Sequence, residues 1–128
     1  MRKTIAVLGV LLLGLTIRSL WPVTVRGDEA DESLCVVTHV DVMPKFTADG
    51  RNLLRDFAAE SRKDAGAVRI EVFEELGRPN HSTVVEVWKS RKAYEDHLVV
   101  DHVRAYRTKL QPMLGSPFDE RLHRQVSK

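Results

Sequence analysis

Apolar residues recur at every second position in four stretches of this chain and at every third or fourth position in two, which predicts a mixed fold. Leu34 to Val42 splits by parity into Val36, Thr38, Val40, Val42 and Cys35, Val37, His39, Asp41, a strand with one apolar face that Pro44 ends. Leu53, Leu54, Phe57 and Ala58 share one side of a helix over Arg51–Asp64, with charged side chains on its other faces. Gly66 stands where a left-handed helix terminator belongs. A second strand alternates Val68, Ile70 and Val72 with Arg69, Glu71 and Phe73. The turn-rich Leu76–Asn80 then leads to a third, His81–Trp88, with Val85 and Val87 on one face and Val84, Glu86 and Trp88 on the other. Ser90 caps a helix that starts at Arg91, pauses near Val100–Asp101 and resumes with Val103, Tyr106 and Leu110 on one stripe, until Pro112 and Gly115 close it. Phe118 to Val126 alternates again as a fourth strand.

The predicted order, β-α-β-β-α-β, is the split ferredoxin-like arrangement of the α+β class, an antiparallel sheet with its helices on one face. The other sheet face then carries Val37, Phe73, Val85 and Val87, too much apolar surface for water, and a homodimer packed sheet to sheet is the expected cover.

The first 27 residues follow a different pattern. Arg2 and Lys3 precede an apolar run from Ile5 to Ile17, broken only by Gly9, Gly14 and Thr16, as in a secretory signal peptide with cleavage after Gly27. Leu20, Trp21 and Val23 prolong the apolar stretch past Arg18, so an uncleaved membrane anchor is the other reading. Residues 28–33 form an acidic tail, and 34–128 the folded domain. Either reading places that domain outside the cytoplasm, periplasmic or extracellular. The formal charge of +2 comes from 20 Lys+Arg against 18 Asp+Glu in 128 residues, but four of the basic residues precede Asp28. The remaining domain is therefore slightly acidic. That removes the charge argument for an anionic membrane, and no aromatic-flanked basic stripe suggests nucleic acid. The single cysteine, Cys35, permits no internal disulfide; it is either a small buried side chain of the first strand or one half of an intermolecular bond.

Composition, 43% hydrophobic and 30% charged, suits one globular domain. No phosphate-cradling glycine loop, dinucleotide fingerprint or nucleophile elbow occurs, so no cofactor is expected. No metal site is expected either. The chain lacks HExxH, and His97 and His102, five apart, would point about 140° from each other on one continuous helix. The candidates for chemistry are aromatic and titratable groups that the topology brings together: Glu86 and Trp88 on one face of the third strand, His39 in the first, and Tyr94, His97, His102 and Tyr106 from the helical layer. Two readings stand side by side. In one they line a pocket for a planar phenol, with Trp88 stacking and Glu86 or a histidine taking the proton. In the other Trp88 and Tyr106 are core, Glu86 pairs with Arg69 across the hairpin, and His97 is a satisfied interior histidine.

The segment Val85-Glu86-Val87-Trp88-Lys89-Ser90-Arg91-Lys92-Ala93-Tyr94-Glu95-Asp96-His97-Leu98, followed by Asp101-His102-Val103, resembles the antibiotic biosynthesis monooxygenase domain, with its E-x-W followed by a helix carrying an alanine, a histidine and then a second histidine. Val36 to Pro44, the helix containing Phe57, Gly66 and Ile70-Glu71-Val72-Phe73 are similar too, so the resemblance spans roughly 34–126. It implies a dimeric α+β barrel. For enzymatic members it implies oxygenation of quinol-like or phenolic substrates without metal, flavin or haem, the deprotonated substrate itself reducing O2. By this resemblance His97, His39 and Glu86 are the catalytic candidates. Trp88, Tyr94, His102, Phe73 and Tyr106 are the substrate-binding candidates. One branch of the superfamily degrades haem with an Asn, Trp, His set; the corresponding positions here fall near Thr38, His97 and Arg107, and none carries the residue expected at its place. Some relatives only bind small molecules, so a non-catalytic binding homodimer is the second functional reading.

Overall fold

The computed structural model describes residues 32–127; the expected signal segment and the first four residues of the acidic tail lie outside them. Strand β1 (Leu34–Asp41) is followed by a short 3-10 turn at Pro44–Phe46 and helix α1 (Thr47–Ser61), then β2 (Ala67–Glu75), β3 (Arg78–Trp88), α2 (Arg91–His97), α3 (Asp101–Leu110) and β4 (Asp119–Arg124). The four strands form one antiparallel sheet in the order β2-β3-β1-β4, the ferredoxin-like arrangement that the order of elements implies.

Register decides which side chains meet. Val36 lies opposite Glu86 on β3 and Leu122 on β4, Thr38 opposite Val84 and Glu120, and Ile70 of β2 opposite Glu86. Partners across a sheet share a face, so Val36, Thr38, Ile70, Val84, Glu86, Glu120 and Trp88 all point toward the helices. The core there falls into two clusters, with the partly buried Val72 packed against both. Val40, Val42, Leu54, Phe57, Val84, Val103, Tyr106 and Leu110 fill one end, and Val36, Ala58, Ile70, Trp88 and Tyr94 the other.

Helix α1 starts four residues earlier than its apolar stripe suggests. Gly50 falls inside it because the helix presses on β1 there: a Cβ would stand 3.0 Å from a Val42 methyl. The turn between β2 and β3 is also tighter than predicted, shrinking to Leu76-Gly77 with Gly77 at φ +84°. Gly66 does not end α1, whose cap is Arg62; it has φ +82° in the turn that enters β2, where no side chain fits, since a Cβ would come within 2.5 Å of the Ala93 methyl. Ser90 Oγ accepts from the Ala93 N–H at 3.2 Å and caps α2. Val100 is extended, so α2 and α3 are separate helices and the pause is a true break.

Across the sheet the outward face carries Val37, Val85 and Val87 at its centre, with Phe73 half exposed near the edge. Cys35, paired with Val87 and His123, lies on this same face and is only partly buried.

Candidate active site

The inward parity of β3 carries a carboxyl into the core. Glu86 is 3% exposed, and two residues on, Trp88 is fully buried and donates its indole Nε1–H to Glu86 Oε2 at 3.0 Å. The last turn of α2 lays the His97 ring over this indole, centroids 4.4 Å apart, with Nε2 3.7 Å from the same Glu86 oxygen. That separation is contact without a direct hydrogen bond. On its far side His97 Nδ1 lies 2.6 Å from Asp64 Oδ2, in the link between α1 and β2. His102, in the first turn of α3, places Nε2 2.8 Å from that same oxygen.

These contacts correct the expectation that His97 and His102 stand apart. The 140° angle holds only on a continuous helix, and the break at Val100 turns α3 so that both rings converge on Asp64. The candidate ligand atoms of Asp64, His97 and His102 lie within 4.8 Å of one another, the one such grouping among the described residues. At 2.6 and 2.8 Å the carboxylate oxygen is a shared hydrogen-bond acceptor, which puts protons on both facing ring nitrogens. The three groups form a hydrogen-bonded cluster, and their facing atoms are also close enough together to hold a metal ion.

A second carboxylate faces Glu86 from β4. Glu120 accepts from the Tyr94 hydroxyl at 2.6 Å and from Arg107 at 2.8 Å, so both its oxygens are held. Between the two acids lies a small, partly open pocket of about 10 Å³, room for one water, walled by Glu86, His97, Glu120 and Arg107 and by the rings of Phe57 and Tyr106. Thr38 also borders it, with a buried hydroxyl that has no hydrogen-bond partner among the described residues. Phe57 and Tyr106 stack at 4.1 Å and separate the cavity from a surface groove of about 170 Å³ that His102 also lines.

Burial sets the protonation states. It pushes the Glu86 carboxyl up to about 7, helped by the nearby Glu120 charge and opposed by the Trp88 N–H and Arg107. Burial also lowers His97, outweighing the pull of Asp64. Tyr94 and Tyr106 are raised, chiefly by burial; the hydrogen bond to Glu120 adds to this for Tyr94 and the charge of Glu86 for Tyr106, so both remain phenols. Near neutrality the cavity therefore holds a carboxyl poised to gain or lose a proton beside a neutral imidazole. With the His97 proton on Nδ1 toward Asp64, Nε2 is the free base facing Glu86.

Of the residues singled out from sequence, the structure brings Glu86, Trp88, Tyr94, His97, His102 and Tyr106 together. Trp88 is not a cavity wall: its faces are covered by His97 and Tyr94, and it holds Glu86 from behind. His39 and Phe73 lie on the opposite side of the sheet, where His39 Nδ1 pairs with Thr83 Oγ1 at 3.1 Å. Arg69 pairs with Glu71 on that face, not with Glu86. Asp64, Arg107, Glu120 and Thr38 complete the site and are not picked out by motif. Strand parity alone marks Thr38 and Glu120, which share their faces with Val36 and Leu122.

The family model described as "Antibiotic biosynthesis monooxygenase" matches residues 33–109, which include every element of the site except β4. The chain belongs to the antibiotic biosynthesis monooxygenase family. The Bacillus subtilis (strain 168) protein named "Putative monooxygenase YcnE" is 24% identical over 81 residues, covering 63% of this chain and 85% of that protein. Among solved structures, a conserved protein from Methanosarcina mazei Go1 superposes with a TM-score of 0.70 at 24% identity, covering 76% of this chain and 96% of that one. Rv0793 from Mycobacterium tuberculosis gives 0.71 at 18%, covering 76% and 98%. At these identities the structures share the fold. Family membership supports a general monooxygenase-like function.

Proposed function

We propose that this protein is a monooxygenase that oxidises a phenolic or quinol small molecule with O2, using no resident cofactor. The observation that carries the reading is Glu86: a buried carboxyl poised near neutrality, hydrogen-bonded by Trp88 and set beside the free Nε2 of His97 on the wall of a small polar pocket.

The reaction balances as a hydroxyarene plus O2 giving a quinone plus water. Glu86, backed by His97, takes the phenolic proton. The phenolate passes one electron to O2, and the radical pair joins in a carbon–oxygen bond. Loss of the ring proton and cleavage of the O–O bond then leave one oxygen as the quinone carbonyl and the other as water. Arg107, together with the unpartnered Thr38 hydroxyl, is placed to stabilise the reduced oxygen as charge develops on it. The cavity as it stands admits a water and not an aromatic ring. Substrate binding therefore requires the pocket to widen, and parting of the stacked Phe57 and Tyr106 would join it to the outer groove.

The apolar centre of the outer sheet face is read as a homodimer interface, and residues 1–27 as an export signal whose loss an intact-mass measurement on the native protein detects. Oxygen uptake with a panel of hydroquinones tests the function. The expected result is turnover above autoxidation that Glu86→Gln abolishes; saturable binding with the ligand recovered unchanged makes the protein a binder and overturns the reading.

A further inference from the structure

We propose that Asp64, His97 and His102 form a binding site for one divalent transition-metal ion of the zinc class, where the link after α1 meets the end of α2 and the start of α3. The inference goes beyond the oxygenase reading and does not rest on it, since neither Asp64 nor His102 lines the pocket that holds Glu86.

The donor atoms already converge. His97 Nδ1 and His102 Nε2 lie 2.6 and 2.8 Å from the same oxygen, Asp64 Oδ2, and the three atoms fall within 4.8 Å of one another. A clamp between the helices needs one imidazole–carboxylate bond, whereas two rings aimed at one oxygen are the arrangement of donors around a point. A tetrahedral ion about 2.0–2.1 Å from each donor wants the donors about 3.3 Å apart, so the two hydrogen bonds open by about 0.5–0.7 Å to admit it. Asp64 and His102, with side chains 18% and 28% exposed, have the freedom to move that far and give the ion a way in from solvent. His97, 1% exposed and packed against Trp88 and Phe57, is the fixed ligand. Two imidazoles and one carboxylate suit Zn²⁺, Co²⁺ or Ni²⁺, while Mg²⁺ and Ca²⁺ call for oxygen donors throughout. Water takes the remaining position of a four-coordinate site.

The protons that the ion displaces have somewhere to go. Each ring gives up the N–H that faces Asp64 and takes a proton on its other nitrogen, so both imidazoles stay neutral and the number of protons is unchanged. His102 Nδ1 has no hydrogen-bond partner among the described residues and is open to receive one. His97 Nε2 faces Glu86 Oε2 at 3.7 Å, and a carboxyl group behind a metal-binding histidine stands where the outer partner that sets its tautomer belongs. The ion therefore sits at the nitrogen of His97 that the pocket does not use, and its effect on the pocket is to turn the free Nε2 into an N–H.

The experiment is calorimetric titration of the full chain, stripped of metal with a chelator, with Zn²⁺ at neutral pH, and a parallel titration with Co²⁺ read by visible absorption. The expected result is saturation at one Zn²⁺ per chain, with a Co²⁺ absorption that saturates alike, is lost on adding Zn²⁺ and survives excess Mg²⁺ or Ca²⁺. Asp64→Asn and His102→Gln, both at partly exposed sites and checked for folding by circular dichroism, each weaken Zn²⁺ binding by more than about tenfold. His81→Gln removes a separate histidine–carboxylate pair, with Asp41, and leaves the binding unchanged. Nitrogen NMR of the His97 ring shows its proton moving from Nδ1 to Nε2 as Zn²⁺ is added. No saturable binding by the unsubstituted protein, binding that either cluster variant leaves unaltered, loss of binding in His81→Gln, or a His97 proton that stays on Nδ1 overturns the proposal. None of these readings needs turnover, so a silent substrate panel bears on the oxygenase reading alone.

Discussion

Glu86→Gln separates the chemistry of the buried carboxyl from its place in the core. Glutamine keeps the volume and an oxygen to accept from Trp88 Nε1, but it cannot ionise. In the native protein the Glu86 carboxyl lies at about 7 against an ordinary 4.5, because burial penalises its charge. A raised acid favours the fold where it is protonated in the native state. The favourable contribution is complete below the unfolded value, is lost as pH rises from 4.5 toward 7, and is gone above 7. At about 1.4 kcal/mol per pH unit, the span from 4.5 to about 7 is a loss of about 3 kcal/mol. The variant escapes this loss. Urea unfolding at pH 5, 6, 7 and 8 should therefore show its stability rising relative to the native protein by about 2.5 kcal/mol across the series, the remainder of the loss falling below pH 5. Titrating groups distant from Glu86 cancel in this difference. A difference that stays flat, or that runs the other way, refutes the assignment of a desolvated proton to Glu86. Under the proposed function the same variant loses its base and with it about 10²- to 10⁴-fold in turnover, so greater stability at alkaline pH accompanies lost activity.

Three further outcomes are expected. Tyr94→Phe deletes the 2.6 Å bond to Glu120 and leaves that carboxylate to Arg107 alone, lowering stability by about 1–3 kcal/mol in chemical denaturation; no loss would mean the bond is not formed in solution. Gly66→Ala forces a positive φ on alanine and drives its methyl into Ala93, displacing α2; a fall in thermal midpoint equivalent to about 1–3 kcal/mol is expected, and an unchanged midpoint contradicts the contact. Val85→Lys puts a charge at the middle of the open sheet face opposite Val37, so light scattering should report a dimer for the native protein and a monomer for the variant; a native monomer removes the proposed interface.

Most of the fold was legible because each element announces its own period. The parity of β3 and the Ser90 cap act within a few residues, and the structure places them as the sequence implies; Gly66 keeps its positive φ but serves the turn into β2 rather than the end of α1. Glu86 was legible as an inward acid for the same reason. What escaped depends on contacts between distant segments. Helix α1 begins before its apolar stripe because Gly50 lets it close on Val42, and nothing local to Gly50 says so. The pause near Val100 was visible, but its consequence, two histidines turned onto Asp64, needs the angle between α2 and α3. Trp88 read as a ligand wall because an aromatic beside an acid suggests a pocket; only packing shows His97 and Tyr94 covering it. His39 shares a strand with Thr38 but has the opposite parity, which puts the sheet between it and the cavity.

The oxygenase account is tested most directly by running the reaction under ¹⁸O2 with protein freed of metal and flavin and a hydroquinone that turns over. The account predicts one labelled oxygen in the quinone product and one in water, at a rate that Glu86→Gln reduces to autoxidation. A product without label, or a rate that survives Glu86→Gln, would contradict it.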